Sequence, residues 1–322
     1  MPTLYLTYQG AKLRLRKGRL ILESPEDEVL LELPARKVRR VLVFGSISLT
    51  SPALAFLLRR GAKVFFLSQT GTFYGYAAGA APPSPARIKK QLEVAQGPRS
   101  LAIARAIVEA KVRSQREALR RYGYKAGELE PLDEVLKRIQ SAPNKDLLRG
   151  LEGVASKHYF RLVAKSLKDV PFEHRRKRPP RDPVNAALSY AYAVLYSLVL
   201  SAVQAAELHP EIGIFHTTGR RRASLALDLM EEFRVPLVDI PVFAAFRRGH
   251  LKASHAEVGD HAVLLNKKGK KVLLQLLEER LHEAPAGGET NHLALVFKQA
   301  ERLANAIVHG KLYRAFVFGR KA

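Results

Sequence analysis

The chain has 322 residues, with 54 Lys and Arg against 30 Asp and Glu, for a formal charge of +24. At 47% hydrophobic and 26% charged it can bury one or two real cores, which excludes intrinsic disorder and collagen-like repeats. It has no cysteine, so disulfides, thiol nucleophiles, iron–sulfur clusters and Cys-based zinc sites are excluded, and any metal must be held by carboxylates, His or backbone oxygens.

Residues 1–80 read as strands. Leu4–Tyr8, Leu20–Leu22, Val29–Leu33, Val41–Phe44 and Val64–Leu67 are short β-rich runs, separated by turn signals such as Lys17-Gly18 and Ser24-Pro25. Pro52–Arg60 predicts one short helix, with Ser51 as N-cap and Pro52 at the first helical position. The expectation is a small, mostly antiparallel β domain carrying twelve basic and five acidic residues. Ala81-Pro82-Pro83-Ser84-Pro85 then predicts an extended linker over 81–86.

From residue 87 the apolar period becomes helical. Leu101, Ala104, Ile107, Val108 and Val112 recur at three- and four-residue steps, and further helices are expected near Leu132–Ile139, Leu147–Leu167, Val184–Glu207, Leu225–Arg234, Val272–Leu281 and His292–His309. Pro183–Ala206 carries no charge and is long enough to span a bilayer. Its polar residues Asn185, Ser189, Ser197, Ser201 and Gln204, and its being the only such stretch, predict a buried core helix instead. The fold class expected is α+β: an N-terminal β domain followed by a larger, all-helical domain over 87–322.

The charge speaks of partners more than of fold. A phosphate polymer is its natural complement, because each neutralised phosphate releases counterions. Membrane attraction would gather the charge beside an apolar anchor, and here it is spread. Met1–Gly10 has no signal-peptide pattern, so a cytoplasmic location is expected. No Walker loop, dinucleotide fingerprint or nucleophile elbow is present, which argues against ATP- and NAD-driven chemistry.

The scarce acidic residues of the helical part are more informative. Glu152 aligns at helical spacing with Leu148, Ala155 and Tyr159, on the edge of a buried stripe. A buried ion pair with Lys or Arg would explain it as well as a ligand role. Asp228, Glu231 and Glu232 follow Ser224, a plausible N-cap, and Pro236 should stop that helix at Arg234. Asp228 shares a face with Glu231 (i,i+3) or with Glu232 (i,i+4). Twelve residues before Asp228 stands His216, closing the apolar run Ile212–Phe215. A loop His followed by a helix of carboxylates suits a hard divalent ion; a solvated acidic face is the alternative. Between them Arg220, Arg221 and Arg222 form a basic, Gly-bearing loop whose planar guanidinia suit phosphate oxygens. Arg175, Arg176, Lys177, Arg178 and Arg181 pack five charges into seven positions, held extended by Pro179 and Pro180. They read as a strip tracking a nucleic-acid backbone. His250, His255 and His261 match no metal spacing and read as ordinary loop histidines.

Together these segments resemble one family, the CRISPR-associated endonuclease/integrase of the spacer-acquisition module (the Cas-one family). The resemblance rests on Leu151-Glu152-Gly153 with Tyr159, on Arg178-Pro-Pro-Arg-Asp-Pro-Val-Asn-Ala-Ala-Leu-Ser189, on Gly213-Ile-Phe-His216, and on Ser224–Arg234 with Asp228, Glu231 and Glu232. It implies a β domain for dimerisation and DNA binding joined to a helical catalytic domain, working as a homodimer. It implies a metal site of Glu152, His216 and Glu231, lined by Asp228 and taking Mg²⁺ or Mn²⁺. The implied reaction is insertion of short DNA fragments into a repeat array, by attack of a 3′-hydroxyl on a phosphodiester. Arg220–Arg222 and Arg234 are then placed to stabilise developing charge, and the small second adaptation protein is the implied partner. A branched-DNA repair nuclease and a non-enzymatic basic DNA-binding protein are the rival readings.

Overall fold

Lys17 and Gly18 both adopt left-handed backbone angles, φ 46° and 74°. The two-residue loop they form joins β2 (Lys12–Arg16) to β3 (Arg19–Glu23), and its primed geometry matches the twist of a hairpin. The computed structural model describes residues 3–68, 73–79, 84–167, 170–176, 179–216, 223–259, 261–285 and 290–319. The chain divides into two compact units, Met1–Ala81 and Pro82–Ala322.

In the first unit β4 (Val29–Pro34), β3, β2 and β6 (Ser48–Leu49) form one sheet. The other contains β1 (Thr3–Leu6), β5 (Arg40–Phe44), β7 (Lys63–Leu67) and β8 (Phe73–Ala77), in that order. The expected antiparallel character holds for β2–β3, β3–β4 and β7–β8, but β1–β5, β5–β7 and β2–β6 pair in parallel. Parallel neighbours need long crossovers. The β2–β4 meander supplies one between β1 and β5, and α1 (Ser51–Arg59) lies in the other, between β5 and β7. That helix starts one residue earlier than expected, with Thr50 at the cap position. The central strand β5 is buried at every position, whereas β1 alternates. Leu6, Leu13, Leu20, Val41, Leu57 and Val64 meet in one apolar cluster.

The second unit contains α2 (Pro85–Gln96), α3 (Arg99–Arg121), α4 (Ala126–Ser141), α5 (Lys145–Lys165), α6 (Pro183–Ala205), α7 (Ser224–Arg234), α8 (Ile240–Arg247), α9 (Lys267–His282) and α10 (His292–His309). It is not wholly helical. β9 (Ala256–Val258) and β10 (Val263–Leu265) form a hairpin whose Val263 N–H bonds to the Pro180 carbonyl at 3.0 Å. An apolar run this short cannot fill helical turns but can pair as strands. Asp182 caps α6 by accepting the Asn185 N–H at 2.8 Å, and Pro183 occupies the first turn. Among the described residues α6 alone is long and apolar enough to cross a membrane. In this unit 83% of that apolar window is buried, against α7 and α10 among others, as expected of a core helix.

The helix beginning at Ser224 does not stop at Arg234. Ala223, not Ser224, holds the cap position, and the chain continues through one wide π-turn, Val235–Asp239, into α8. Pro236 has no N–H and its ring crowds the preceding turn, so widening the helix accommodates it without ending it. The Ile240 N–H reaches back five residues to the Val235 carbonyl. Pro241 cannot do the same for the Pro236 carbonyl, and Arg280 Nε donates to it instead at 2.9 Å. The bulge matters because it sets the direction of Asp239.

Candidate functional site

α3 packs against both α5 and α7. This one contact pattern places the side chains of three helices around a single cavity of about 530 Å³. Glu152 comes from α5, Glu231 from α7 and Lys111 from α3, while His216 stands in the loop before α7. Lys111 Nζ lies 2.6 Å from Glu231 Oε2 and donates a hydrogen bond to Glu152 Oε1, so one ammonium joins two carboxylates. Ser156 Oγ adds a second donor to Glu152 Oε1 at 2.9 Å, and Arg234 Nε donates to Glu231 Oε1 at 2.8 Å.

Burial alone would raise the Glu231 carboxyl, but Arg234 and Lys111 outweigh it and hold the group well below the usual carboxylate range. Glu152 is lowered in the same way, with Lys111 overcoming burial. Burial opposes the charge on Lys111, and the two glutamates raise its pKa in spite of it. Two carboxylates in one cavity therefore stay ionised because cations surround them.

The His216 loop is built on Asp228. Its Oδ2 accepts the N–H of Ile214 at 2.6 Å and of Phe215 at 3.0 Å; its Oδ1 accepts the N–H of His216 at 2.8 Å and pairs with His216 Nδ1 at 2.6 Å. A carboxylate is an acceptor only, so Nδ1 carries the proton, and in the neutral imidazole the Nε2 lone pair is the one turned toward the site. Nε2 is 4.0 Å from Glu231 Oε1. Fixing one ring nitrogen on a carboxylate is the usual way an imidazole is presented to a metal. Four bonds occupy both oxygens of Asp228, which is wholly buried. The expected ligand role for Asp228 is thus replaced by a positioning role.

Gly213 permits this loop. A Cβ there would fall 2.6 Å from the His216 carbonyl oxygen and 2.6 Å from Ser224 Cβ. Gly213→Ala is expected to cost about 1–3 kcal/mol by forced displacement of backbone and to lower activity with it. Thermal unfolding checks this, and a variant that melts together with the wild type would contradict it.

Among the described residues no three His, Asp or Glu side chains converge as a ready-made metal cluster. Asp228 is turned to the backbone, and an ammonium stands between the two glutamates. The remaining donor set still fits a divalent ion. Two ionised carboxylates share one ammonium, the imidazole lies 4.0 Å from one of them, and Glu231 Oε2 is buried without a hydrogen-bond donor of proper geometry.

The other expected residues divide clearly. Glu232 points away: it accepts from Gln299 Nε2 and the Phe316 N–H, each at 2.7 Å, and from the Tyr313 hydroxyl. Burial pushes its carboxyl up to about 7. Arg234 is paired with Glu231 and lies 4.8 Å from the Tyr192 ring centre, which puts it beside the glutamates. Arg175 leaves the expected strip. Asn185 Oδ1 accepts from its Nη1 and from the Arg176 N–H, each at 2.8 Å, which turns Arg175 inward to line the cavity. Arg176 and Arg181 remain exposed. Lys177, Arg178, Arg220, Arg221 and Arg222, with part of the 81–86 linker, lie outside the described residues.

Sequence reasoning missed Lys111, Tyr192 and Asp239. The Tyr192 hydroxyl donates to Asp239 Oδ1. Burial raises the Asp239 carboxyl to about 6, against the pull of that bond and of Arg234. Lys111 did leave a signal, standing four residues after Ile107 and three after Val108 on an apolar face.

Known proteins share both the sequence and the fold of this chain. The family model described as "CRISPR associated protein Cas1" matches residues 4–279. A CRISPR-associated endonuclease Cas1 of Thermus thermophilus is 47% identical over 321 residues, covering 99% of this chain and 100% of that protein. A solved CAS1 protein from Thermotoga maritima superposes with a TM-score of 0.85 at 25% identity, covering all of both chains. A chain of a Cas6-RT-Cas1–Cas2 complex shares the fold, with a TM-score of 0.86 at 24% identity over 98% of this chain and 36% of that one.

Proposed function

The chain belongs to the CRISPR-associated Cas1 family, and from that premise we propose that it is a divalent-metal-dependent DNA endonuclease and integrase of CRISPR adaptation. The endonuclease name belongs to its relative from Thermus thermophilus. The observation that carries the reading here is the pair Glu152 and Glu231 held ionised around one cation, beside His216 with its Nε2 lone pair facing them.

Glu152, Glu231 and His216 would hold Mg²⁺ or Mn²⁺. Such an ion, when bound, polarises a phosphoryl oxygen and lowers the barrier to attack at phosphorus. Asp228 keeps the imidazole in one tautomer and one orientation. Arg234 restrains the Glu231 carboxylate through Oε1 and adds positive charge where the pentacoordinate phosphate gathers negative charge. With a DNA 3′-hydroxyl as attacker one phosphodiester replaces another, and no energy-rich cofactor is needed. With water as attacker the same site cuts.

The proposed partners are a short duplex and a repeat-bearing target, gripped through the distributed +24 charge. The small second adaptation protein is proposed as well, a pairing named in the Cas6-RT-Cas1–Cas2 complex. A homodimer through the first unit is supported by the β4 edge, where Val29, Leu30 and Leu31 stand exposed. One assay tests the function: a short duplex with free 3′ ends, a supercoiled plasmid carrying repeats, Mn²⁺ and the partner. Joined product is expected. Nicking alone would favour a branched-DNA repair nuclease, and binding without metal-dependent product would make the chain a DNA-binding protein only.

A further inference from the structure

Lys111, Arg175 and Arg234 line the cavity, and two of these three cations are spoken for. Lys111 is shared by Glu152 and Glu231, and Arg234 is paired with Glu231. Arg175 has no carboxylate within ion-pair distance among the described residues, and its polar partners are neutral oxygens. Nη1 donates to the Arg176 carbonyl at 2.7 Å and to Asn185 Oδ1 at 2.8 Å, and Nη2 donates to Ser189 Oγ at 3.1 Å. A guanidinium has five N–H donors, so two remain, one of them on the buried Nε that finds no acceptor.

The group is held in place as well as unpaired. Its guanidinium carbon lies 5.3 Å from the Tyr192 ring centre, and Arg234 lies 4.8 Å from the same ring. Tyr192 is anchored in turn through Asp239. Burial lowers the Arg175 pKa, yet a guanidinium stays protonated in proteins. A half-buried charge without a counter-charge still carries a desolvation cost, and an anion arriving with the substrate would relieve it. The anion that belongs beside Glu152, Glu231 and His216 is a phosphodiester, whose two non-bridging oxygens match the side of an arginine fork.

We propose that Arg175 is the phosphate-binding cation of this cavity, gripping a phosphodiester of the DNA strand that enters it, rather than one of the surface residues that track the duplex. The assignment rests on the integrase and nuclease reading for the identity of its anion. Lys111 and Arg234 keep the carboxylates ionised, and Arg175 holds the strand against them.

The test is a double-mutant cycle that needs no reaction. Affinity for short DNA is measured by fluorescence anisotropy in EDTA, with wild type and Arg175→Ala. In turn, each linkage near the 3′ end of the incoming strand, or at the target junction, is replaced by a neutral methylphosphonate. In the wild type one linkage should cost roughly tenfold or more when neutralised, as expected for a charge-assisted bond. In Arg175→Ala that same replacement should cost nothing further, and the strand carrying it identifies the source of the phosphate. Losses that multiply independently at every linkage would overturn the proposal, because a merely structural arginine weakens all substrates alike. Arg176→Ala, on the exposed neighbour, should weaken every oligonucleotide equally and reduce the salt slope. If Arg175→Ala does not fold, Arg175→Lys carries the same cycle, with the coupling reduced because the fork is lost. If the wild type joins and cuts no DNA, the function above fails while this cycle still reads the phosphate contact.

Discussion

His216→Ala is expected to abolish strand transfer and cutting while duplex affinity changes little. The substitution removes the one lone pair that faces the two glutamates and leaves the rest of the cavity in place. Loss of a residue that merely orients a metal-bound imidazole costs about 10–100-fold in affinity or activity, and loss of the imidazole itself should exceed that. Binding is spared because the grip on DNA comes from charge spread over the whole chain and acts through many phosphates at once. Joining and nicking assays run beside anisotropy on the same preparation check the split. If affinity falls in parallel with activity, His216 is a structural residue and the site is elsewhere.

Asp228→Ala is expected to do two things that His216→Ala does not. It leaves the N–H groups of Ile214, Phe215 and His216 without their acceptor in a buried loop. At ~1–3 kcal/mol for each unsatisfied group, partly relieved by water, the loss of stability should be about 3–5 kcal/mol. For a unit of this size that is a fall in Tm of roughly 10 °C. Activity should fall by about 10²-fold or more even in molecules that remain folded, because the imidazole loses the partner that fixes its tautomer. Asp228→Asn separates the effects: it keeps the shape but places amide hydrogens against backbone N–H groups. A variant with wild-type melting and wild-type activity would show that Asp228 neither builds the loop nor orients His216.

Much of this site is legible in the amino-acid sequence, and for one physical reason. In a chain this basic, a charged residue on an apolar helical face has to be compensated, and Glu152 stands out by its spacing from Leu148, Ala155 and Tyr159. The same test finds Lys111, four residues after Ile107, and with it the ion pair that a lone glutamate leaves open. Periodicity cannot choose between Glu231 and Glu232, since both spacings bring a carboxylate beside Asp228. The choice is made by Tyr313, Gln299 and Phe316, more than sixty residues away in the chain. Tyr192 and Asp239 are hidden because Pro236 reads locally as a helix stop, while in the fold it opens a wide turn that aims Asp239 at the Tyr192 hydroxyl. Arg175 is hidden by its neighbours: a run of five cations looks uniformly solvated until Asn185 folds one of them back. In the first unit the strands are legible from their composition, but β1–β5 and β5–β7 are parallel through long crossovers, and pairing at that separation leaves no local signal.

Glu152, Glu231 and His216 are proposed to take a divalent ion in the place where Lys111 now holds the carboxylates together. Electron spin-echo spectroscopy of Mn²⁺ added to the protein tests it most directly, because it reports the atoms bound to the ion. One Mn²⁺ per chain is expected, with an imidazole-nitrogen coupling that disappears in His216→Ala, and weaker binding in Glu231→Gln. Bound Mn²⁺ without nitrogen coupling, or a coupling that survives His216→Ala, would contradict it.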